Sequence, residues 1–345
     1  MTSRVGVIGA TGYSGAVCAE LVLRHPKLEL AFATSDKAAG ELVADRLDAP
    51  GCTLRFAPHD EARKLAASVD VVLLATSAET SAALAPALLS ETRALIIDLS
   101  GAFRLEAADY PARYGFSHPA LRLLEGTHYG LSELFGAPPP GTRLVANPGC
   151  YASAALLALA PLFRAGLASG DRVVVDGKSG ISGAGRRADE AYSFVELAEQ
   201  VRAYKIGAHQ HTPEIARHLR RASPGEARRV VFTPHLVPLR RGLLVTAYVD
   251  AKSGVRSEDV RAAYASAYEG KPLVRVVSPD RASLHAVAGS ALAAVGGQVD
   301  DGVIVAVSAL DNLLKGAASQ AVQNVNLALG FPEAEGLEAL VRFAP

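Results

Sequence analysis

Cys150 is the residue of this 345-residue chain whose surroundings best suit a nucleophile. It lies in the run NPGCY (147–151), between an apolar stretch typical of a strand (144–146) and an Ala/Leu-rich stretch typical of a helix (154–162). The N–H groups and the positive dipole end of a helix N-terminus favour an anion. They would help to form the reactive thiolate, because a free thiol has a pKa of about 8.5. The alternative is a buried cysteine that packs as a small hydrophobic residue.

Two histidines could supply acid–base catalysis. His209 and His211 are separated by one residue, and on an extended segment their side chains would share a face. An imidazole suits proton transfer because it titrates near neutral pH. Zinc binding is the alternative, but neither histidine nor any of the three cysteines has a recognisable ligand spacing. We therefore expect no metal.

The N-terminal run GATGYSG (9–15) separates a strand-like stretch (5–8) from a helix-like stretch (16–23). Its glycines permit a tight turn and let the backbone approach a pyrophosphate at the helix N-terminus. A purely structural turn is the alternative, and the spacing is GxxGxxG rather than the usual GxGxxG. We expect a dinucleotide cofactor to bind at Gly9, Thr11, Gly12, Tyr13, Ser14 and Gly15.

The end of the second strand indicates which dinucleotide binds. Hydroxyl and basic side chains there hold the 2′-phosphate of NADP, whereas an acidic side chain bonds the ribose hydroxyls of NAD. Thr34, Ser35 and Lys37 favour NADP, and Asp36 favours NAD. We expect NADP, with NAD as the less favoured cofactor. Ser77 follows a third strand-like run at the sheet edge where such cofactors bind, so it is a further predicted contact.

The order of apolar runs predicts an α/β fold with two domains. In the first half, strand-like runs alternate with helix-like ones, which indicates a Rossmann-type parallel sheet: 5–8, 28–33, 71–75, 94–99 and 144–146. Later runs crowd together, which indicates an α+β domain with a mixed or antiparallel sheet: 172–175, 230–232, 243–249, 274–277 and 303–308. Segment 312–329 predicts an amphipathic helix that could return to the first domain. We expect an NAD(P)-binding domain at 1–149 plus 312–345, and a substrate and oligomerisation domain at 150–311.

Composition gives no support for two classes of partner and bears on the location of the protein. Lys plus Arg number 35, as do Asp plus Glu, so the formal net charge of zero gives no support for nucleic acid or an anionic membrane as a partner. Gly, Pro or charge interrupts each apolar run before it reaches membrane-spanning length. The N-terminus runs directly into a strand, so we expect no signal peptide. An odd number of cysteines fits a reducing cytoplasm.

Motifs along almost the whole chain resemble one family. They are DLS (98–100) with FRL (103–105), YGL (129–131), NPGCY (147–151), SGISGAGR (179–186), HQHTPEI (209–215) and DNLLKGAA (311–318). In content and order they are similar to those of the N-acetyl-γ-glutamyl-phosphate reductase family. This family acts in arginine biosynthesis and is related to aspartate-semialdehyde dehydrogenase. Asp36, Ala102, Gln210 and Ser290 depart from the family pattern, which puts rate and specificity in question more than reaction type.

The resemblance implies NADPH-dependent reduction of an acyl phosphate to an aldehyde through a cysteine thioester. Cys150 would be the nucleophile and His211 the acid–base residue. The implied substrate residues are Arg104, Ser182, Arg186, His209 and Glu214. The implied further cofactor residues are Ser179, Gly180, Gly183 and Asn312. A homodimer or homotetramer is also implied.

Several readings remain open from the sequence. Arg104 and Arg186 could form structural ion pairs, Glu214 could be a solvated helix-start residue, and Asn312 could be a helix N-cap. The substrate could be carrier-bound rather than free. An aspartate-semialdehyde dehydrogenase and a non-catalytic nucleotide-binding homologue are further alternatives.

Overall fold

The computed structural model describes residues 2–186, 190–224 and 229–341, which form two compact units. The first unit holds the residues up to Ser132, together with Gly136–Gly149 and Ala317–Ala339. The second holds Glu133–Phe135, Cys150–Gly316 and the described residues from Leu340 onward.

A six-stranded parallel sheet organises the first unit, in the order β2-β1-β3-β4-β6-β5. Its strands are β1 (Ser3–Ile8), β2 (Leu28–Thr34), β3 (Val71–Leu74), β4 (Leu95–Asp98), β5 (His128–Tyr129) and β6 (Leu144–Ala146). The helices over this stretch of the chain are α1 (Tyr13–Arg24), α2 (Ala62–Ala66), α3 (Ala78–Glu91), α4 (Tyr110–Tyr114), α5 (Leu121–Gly126) and α6 (Ser132–Phe135). Strands β3, β4 and β6 are buried along their whole length, as expected for a parallel sheet covered on both faces. The predicted Rossmann-type sheet is confirmed.

A seven-stranded mixed sheet organises the second unit, in the order β11-β12-β13-β10-β7-β9-β8. Its strands are β7 (Ala168–Ser179), β8 (Arg202–Ala203), β9 (Arg229–Leu236), β10 (Leu243–Ala251), β11 (Val274–Val276), β12 (Ala293–Asp300) and β13 (Val303–Leu310). Its helices are α7 (Cys150–Arg164), α8 (Phe194–Leu197), α9 (His211–Ala222), α10 (Ser257–Ala267) and α11 (Leu284–Val287). The β7–β9 and β11–β12 pairs are parallel and the others are antiparallel, so the predicted mixed sheet is confirmed.

The segment predicted as one amphipathic helix has a different structure. A π-helical turn at Leu314–Ala318 leads into α12 (Ser319–Ala328). The first eight residues of α12 are all buried, so the helix has no solvent face there. Some of its polar side chains have partners inside the first unit, where Gln320 and Asn324 both donate to the carbonyl oxygen of Gly130. The amphipathic prediction was wrong because these polar residues have buried partners far away in sequence.

The second unit also keeps residues 312–316, which the sequence-based division assigned to the first. Asn312 hydrogen-bonds to Ser182 and Gly242, both in the second unit. Leu340 is held there as well, since its carbonyl oxygen accepts from the backbone N–H of Ala291 at 2.9 Å. Side-chain and backbone contacts, rather than the start of a helix, therefore set this boundary.

Strand β12 was missing from the sequence-based prediction. It contains Gly296 and Gly297, and paired glycines weaken a strand pattern. A β-carbon on Gly296 would lie 2.4 Å from the carbonyl oxygen of Val277, so the neighbouring backbone requires glycine there. Within the described residues, no helix is long and apolar enough to cross a membrane.

Candidate active site

Cys150 is the first residue of α7, as predicted from the residues on either side of it. Residues 151–163 of this helix are all buried, so the helix is fixed in the interior of the second unit. The Cys150 side chain is partly exposed at the N-terminus of the helix, where the dipole favours an anion. Cys18 contrasts with it, because burial raises the pKa of the Cys18 thiol well above its usual value. The packing role considered for Cys150 fits Cys18 instead.

A glycine lies against the β-carbon of Cys150. Gly316 belongs to the π-helical turn 314–318, and a β-carbon placed on it would lie 2.7 Å from Cβ of Cys150. The preceding residue, Lys315, is fully buried and forms an ion pair with Glu133. A buried pair of this kind fixes the turn in place, because removal of either partner leaves an uncompensated charge. Sequence analysis assigned Gly316 no role in the site.

The two histidines adjoin each other in the second unit. Their ring centroids are 4.8 Å apart, and both rings are buried. The chain is not extended between them: Gln210 has helical dihedral angles, and His211 begins α9. The prediction of an extended segment was therefore wrong, although the rings are close. Nδ1 of His209 accepts the backbone N–H of His211 at 3.1 Å, so the proton of neutral His209 lies on Nε2.

Glu214 is directed towards His211 from one turn further along α9. Its side chain is fully buried, and Oε2 lies 3.9 Å from Nε2 of His211. The alternative of a solvated helix-start glutamate was therefore wrong. A buried carboxylate at this distance stabilises the protonated imidazole, since little solvent screens the two charges.

Two tyrosines border the thiol and the histidines. The ring of Tyr151 makes edge contacts with both His209 and His211. Burial raises the pKa of the Tyr151 hydroxyl well above its usual value, and Tyr204 and the charge of a Cys150 thiolate add to the effect. Burial likewise raises the pKa of Tyr204. Both hydroxyls therefore stay protonated and serve as neutral hydrogen-bonding groups.

Asn312 links the Gly/Ser-rich loop to the residue that precedes β10. Its Nδ2 donates to Oγ of Ser182 at 2.9 Å, and its Oδ1 accepts the backbone N–H of Gly242 at 2.7 Å. The N-cap alternative was wrong, because Asp311 accepts the N–H groups of Leu313 and Leu314 instead.

The other predicted residues of this loop lie at the end of β7 or follow it. Ser179 is buried, and its hydroxyl donates to the carbonyl oxygen of Gly180 at 3.0 Å. Gly180 needs to be glycine, since a β-carbon would lie 2.8 Å from the carbonyl oxygen of Leu239. Gly183 and Arg186 are exposed at the far end of the loop.

The glycine-rich turn of the first unit has the close contacts of a nucleotide loop. A β-carbon on Gly15 would lie 2.3 Å from the carbonyl oxygen of Gly9, and one on Gly9 would lie 2.6 Å from that of Ala75. Gly9 also has φ +88°, which favours glycine. Gly12 is the N-cap of α1 and offers no side-chain cap, while Tyr13, Ser14 and Gly15 form the first turn. Thr11 adjoins them, and its hydroxyl hydrogen-bonds to that of Ser35 at 2.7 Å.

This turn lies at a point where the strand order reverses. Strand β1 is flanked by β2 on one side and β3 on the other, and the loops after such strands form the ligand crevice of doubly wound sheets. Ser77 follows β3 and caps α3, since its Oγ accepts the N–H of Thr80 at 3.2 Å. The residues present thus fit a dinucleotide: the backbone can approach it closely and a helix N-terminus faces it.

The residues after β2 are partly engaged with each other. Thr34 and Ser35 are buried, and the Thr34 hydroxyl hydrogen-bonds to Nδ1 of His59 at 2.7 Å. Asp36 is exposed, but its Oδ1 accepts the backbone N–H of His59 at 2.7 Å. Lys37 is exposed.

Arg104 is a buried residue of the first unit. Its Nε donates to the carbonyl oxygen of Asn147 at 2.7 Å, and Nη2 donates to that of Leu99 at 2.6 Å. Nearby, both carboxylate oxygens of Asp98 accept from Ser100, while burial raises the pKa of Asp98. These bonds organise the loop after β4, and a substrate role for Arg104 stays a prediction.

No cluster of three or more His, Cys, Asp or Glu side chains suited to a metal ion occurs in the part of the chain that the structure describes. The second unit thus packs both histidines against Tyr151, the neighbour of Cys150, with Glu214 beside His211 and Ser179 near His209. The arrangement suits nucleophilic attack by a thiolate, assisted by proton transfer from an imidazole.

Two family profiles match the chain. Residues 4–139 match the semialdehyde dehydrogenase NAD binding domain, and residues 150–312 match the semialdehyde dehydrogenase dimerisation domain. The first match covers most of the parallel sheet, up to but not including β6, and the second covers the mixed sheet.

Relatives of the same length share much of the sequence. An N-acetyl-gamma-glutamyl-phosphate reductase of Dehalococcoides mccartyi is 42% identical over 346 residues, covering 98% of each chain. One of Magnetococcus marinus is 40% identical over 349 residues, covering 99% of each chain. One of Campylobacter jejuni is 39% identical over 343 residues, covering 98% of each chain.

Solved structures share the fold at lower identity. Aspartate semialdehyde dehydrogenase II of Vibrio cholerae, complexed with ASA, is 18% identical with a TM-score of 0.73 and covers 96% of this chain and 99% of that one. The Candida albicans aspartate semialdehyde dehydrogenase, solved with NADP, is 15% identical with a TM-score of 0.65 and covers 95% and 98%.

Proposed function

This chain belongs to the N-acetyl-gamma-glutamyl-phosphate reductase family, and we propose that it reduces N-acetyl-γ-glutamyl phosphate to N-acetylglutamate 5-semialdehyde in arginine biosynthesis. The observation that carries the proposal is the thiol of Cys150 at the N-terminus of α7, in a unit that also holds the buried pair His209 and His211. Relatives about 40% identical over nearly the whole chain bear the corresponding name.

Cys150 forms the covalent intermediate. Its thiolate attacks the acyl carbon, a C–S bond forms, and the C–O bond to phosphate breaks with the electron pair leaving on phosphate. The product is a thioester, which accepts a reducing equivalent more readily than a carboxylate does. The N-terminus of α7 favours the thiolate, because its N–H groups and dipole stabilise negative charge.

His211 is the acid–base residue of the acylation step. It accepts the proton of the Cys150 thiol before attack and provides one to the departing phosphate oxygen, so the proton count balances over the acylation step. Glu214 stabilises the protonated form of His211 between these events. His209 borders the same space and contacts the substrate, with its Nε2–H available to a carbonyl or oxyanion acceptor.

A nicotinamide dinucleotide supplies, when bound, the two electrons and the hydrogen that convert the thioester to the aldehyde and release the Cys150 thiolate. The glycines from Gly9 to Gly15 and the N-terminus of α1 would hold its pyrophosphate. Asn312 holds the Ser182 side chain, and the loop that carries Ser182 and Gly183 would bind the nicotinamide part of the dinucleotide. We assign Arg104 and Arg186 to substrate binding as part of the same proposal.

NADP is the preferred dinucleotide in this proposal. Exposed Lys37 can pair with the 2′-phosphate, while Asp36 is engaged by the backbone N–H of His59. Thr34 and Ser35 support the backbone there, since their hydroxyls bond to His59 and Thr11. Titration with NADPH and NADH should give tighter binding of NADPH, and Lys37→Gln should reduce that preference.

The chain forms a homodimer or homotetramer through the seven-stranded sheet. Val231, Val174 and Tyr248 lie in register on three adjacent strands, and Val231 and Tyr248 remain 48% and 36% exposed. Exposed apolar rows of this kind favour association with another protein surface. A cytoplasmic location accords with biosynthetic relatives and with cysteines kept as thiols.

The deciding experiment is an aldehyde-oxidation assay. The protein is given N-acetylglutamate semialdehyde, inorganic phosphate and either NADP⁺ or NAD⁺, and absorbance of the reduced cofactor is followed. We expect phosphate-dependent turnover with NADP⁺. Cys150→Ser should bind cofactor without turnover, whereas the matched variant Cys52→Ser should stay active. Activity of Cys150→Ser, or no turnover by folded, nucleotide-binding wild type, would refute the proposal.

A further inference from the structure

A cleft of about 390 Å³ opens beside the histidines, wholly within the second unit. Its lining includes Ser179, Arg202, Tyr204, Lys205, His209 and Gln210. Arg202 lies on β8, the edge strand of the mixed sheet, where it pairs with Leu236 of β9. Sequence analysis gave no role to Arg202, Tyr204 or Lys205.

The described residues that line this cleft carry a positive charge. Two of them are cationic, and none of them is acidic. Within the described ranges, Arg202 makes one hydrogen bond, from Nη2 to the carbonyl oxygen of Ala191 at 3.0 Å, and neither Arg202 nor Lys205 forms an ion pair. Arg202 is half-buried, whereas Lys205 is exposed and therefore more screened.

The cleft adjoins the reacting groups. His209, which lines it, lies with its ring centroid 4.8 Å from that of His211. Tyr204, which also lines it, is close enough to Cys150 for a charge on the thiolate to raise the pKa of the Tyr204 hydroxyl. A substrate whose acyl carbon is bound at the thiol can therefore extend its far end into the cleft.

We infer that this cleft binds the α-carboxylate of the substrate, with Arg202 as the main contact and Lys205 as a weaker one. The inference rests on the proposed function, which supplies an acyl phosphate with a carboxylate at its far end. Phosphate departs when the thioester forms, so the carboxylate is the anionic group that remains through the whole reaction. A guanidinium fork matches two carboxylate oxygens, and Gln210 offers an amide beside it for the acetamido group on the same carbon.

The test compares two aldehydes that differ only in this group. They are N-acetylglutamate semialdehyde and 4-acetamidobutanal, which lacks the carboxylate. Wild type should prefer the first in kcat/KM. Arg202→Gln should lower kcat/KM for the first by about 10- to 100-fold, the range for loss of a charge-assisted hydrogen bond, and leave the second unchanged. Lys205→Gln should cause a smaller fall, and Arg261→Gln, an exposed arginine on α10, none.

Equal losses on both aldehydes would overturn the inference, because Arg202 would then have only a structural role. A raised KM for inorganic phosphate with unchanged preference between the aldehydes would also overturn it, since the cleft would then bind phosphate. Calorimetric titration with N-acetylglutamate and 4-acetamidobutanoate repeats the comparison without turnover. A wild type inactive on both aldehydes would refute the proposed function, and the titration would still decide the role of the cleft.

Discussion

Gly316 leaves room beside Cys150 that no other residue would leave: a β-carbon there would lie 2.7 Å from Cβ of the cysteine. The thiol is thus bounded by the start of its own helix, α7, and by the turn that carries Gly316. The buried ion pair of Lys315 with Glu133 holds that turn. Because interiors are close-packed, an extra carbon at this contact must displace either the turn or the cysteine.

The variant Gly316→Ala should lower kcat by about 100-fold, the effect of a displacement near 1 Å at a reacting group. Its affinity for the dinucleotide should stay close to that of wild type, because Gly316 belongs to the unit that holds the thiol. Steady-state kinetics and cofactor titration measure the two effects. Gly126→Ala is the matched control, since a β-carbon there meets nothing within 4 Å. Wild-type kcat in Gly316→Ala would show that the contact is unimportant.

Glu214→Gln should lower kcat by about 10-fold or more, since it removes a fully buried negative charge 3.9 Å from Nε2 of His211. The protonated imidazole loses stabilisation, so the limb of the pH–rate profile that reports His211 should move to lower pH. KM should change less than kcat. Glu214→Asp keeps the charge and should recover part of the rate. An unshifted profile in Glu214→Gln would assign the residue a packing role only.

Local sequence was sufficient to predict that Cys150 lies near a helix N-terminus, because Pro-Gly precedes the cysteine and a helix-forming run follows it. Local sequence was insufficient to predict the hydrogen-bonding role of Asn312. Asp311 and Asn312 are both good capping residues, and only the folded chain shows that Asp311 caps while Asn312 bonds to Ser182, 130 residues away in sequence. The role that we infer for Arg202 was equally hidden, because it depends on a cleft whose described lining holds no acidic side chain.

Two buried histidines should make stability fall on mild acidification. In His25, Nδ1 accepts the backbone N–H of Lys27 and Nε2 donates to Asn326, so the ring is neutral. In His118, Nδ1 accepts the N–H of Ala120, and Nε2 donates to a carbonyl oxygen. Burial lowers the pKa of both. The unfolded chain therefore takes up protons first, near the ordinary histidine pKa of 6.5.

The free energy of unfolding should have its full value above about pH 6.5. It should decrease as the pH falls through that value, because below it the unfolded state binds more protons than the folded state. Calorimetric Tm between pH 7.5 and 5.5 measures this slope. His25→Gln should reduce the slope, whereas the exposed control His285→Gln should not. Equal decreases in the Tm of His25→Gln and of wild type over this pH range would contradict the explanation.

The exposed row on the mixed sheet gives the last prediction. Val231 and Tyr248 each face a half-buried valine, Val174, across the register, so the three side chains form one continuous apolar strip. A charge within a buried interface strip has no partner and loses its hydration, which costs more than the apolar contact that it replaces. The double variant Val231→Asp with Tyr248→Asp should therefore weaken self-association by about 30-fold or more, measured by light scattering over a concentration series. Leu121→Asp is the control for a charge placed at any exposed apolar residue. Leu121 is 56% exposed but lies outside residues 150–312, so this variant should leave self-association unchanged. If the double variant associates as tightly as wild type does, the strip is not the interface between copies of this chain.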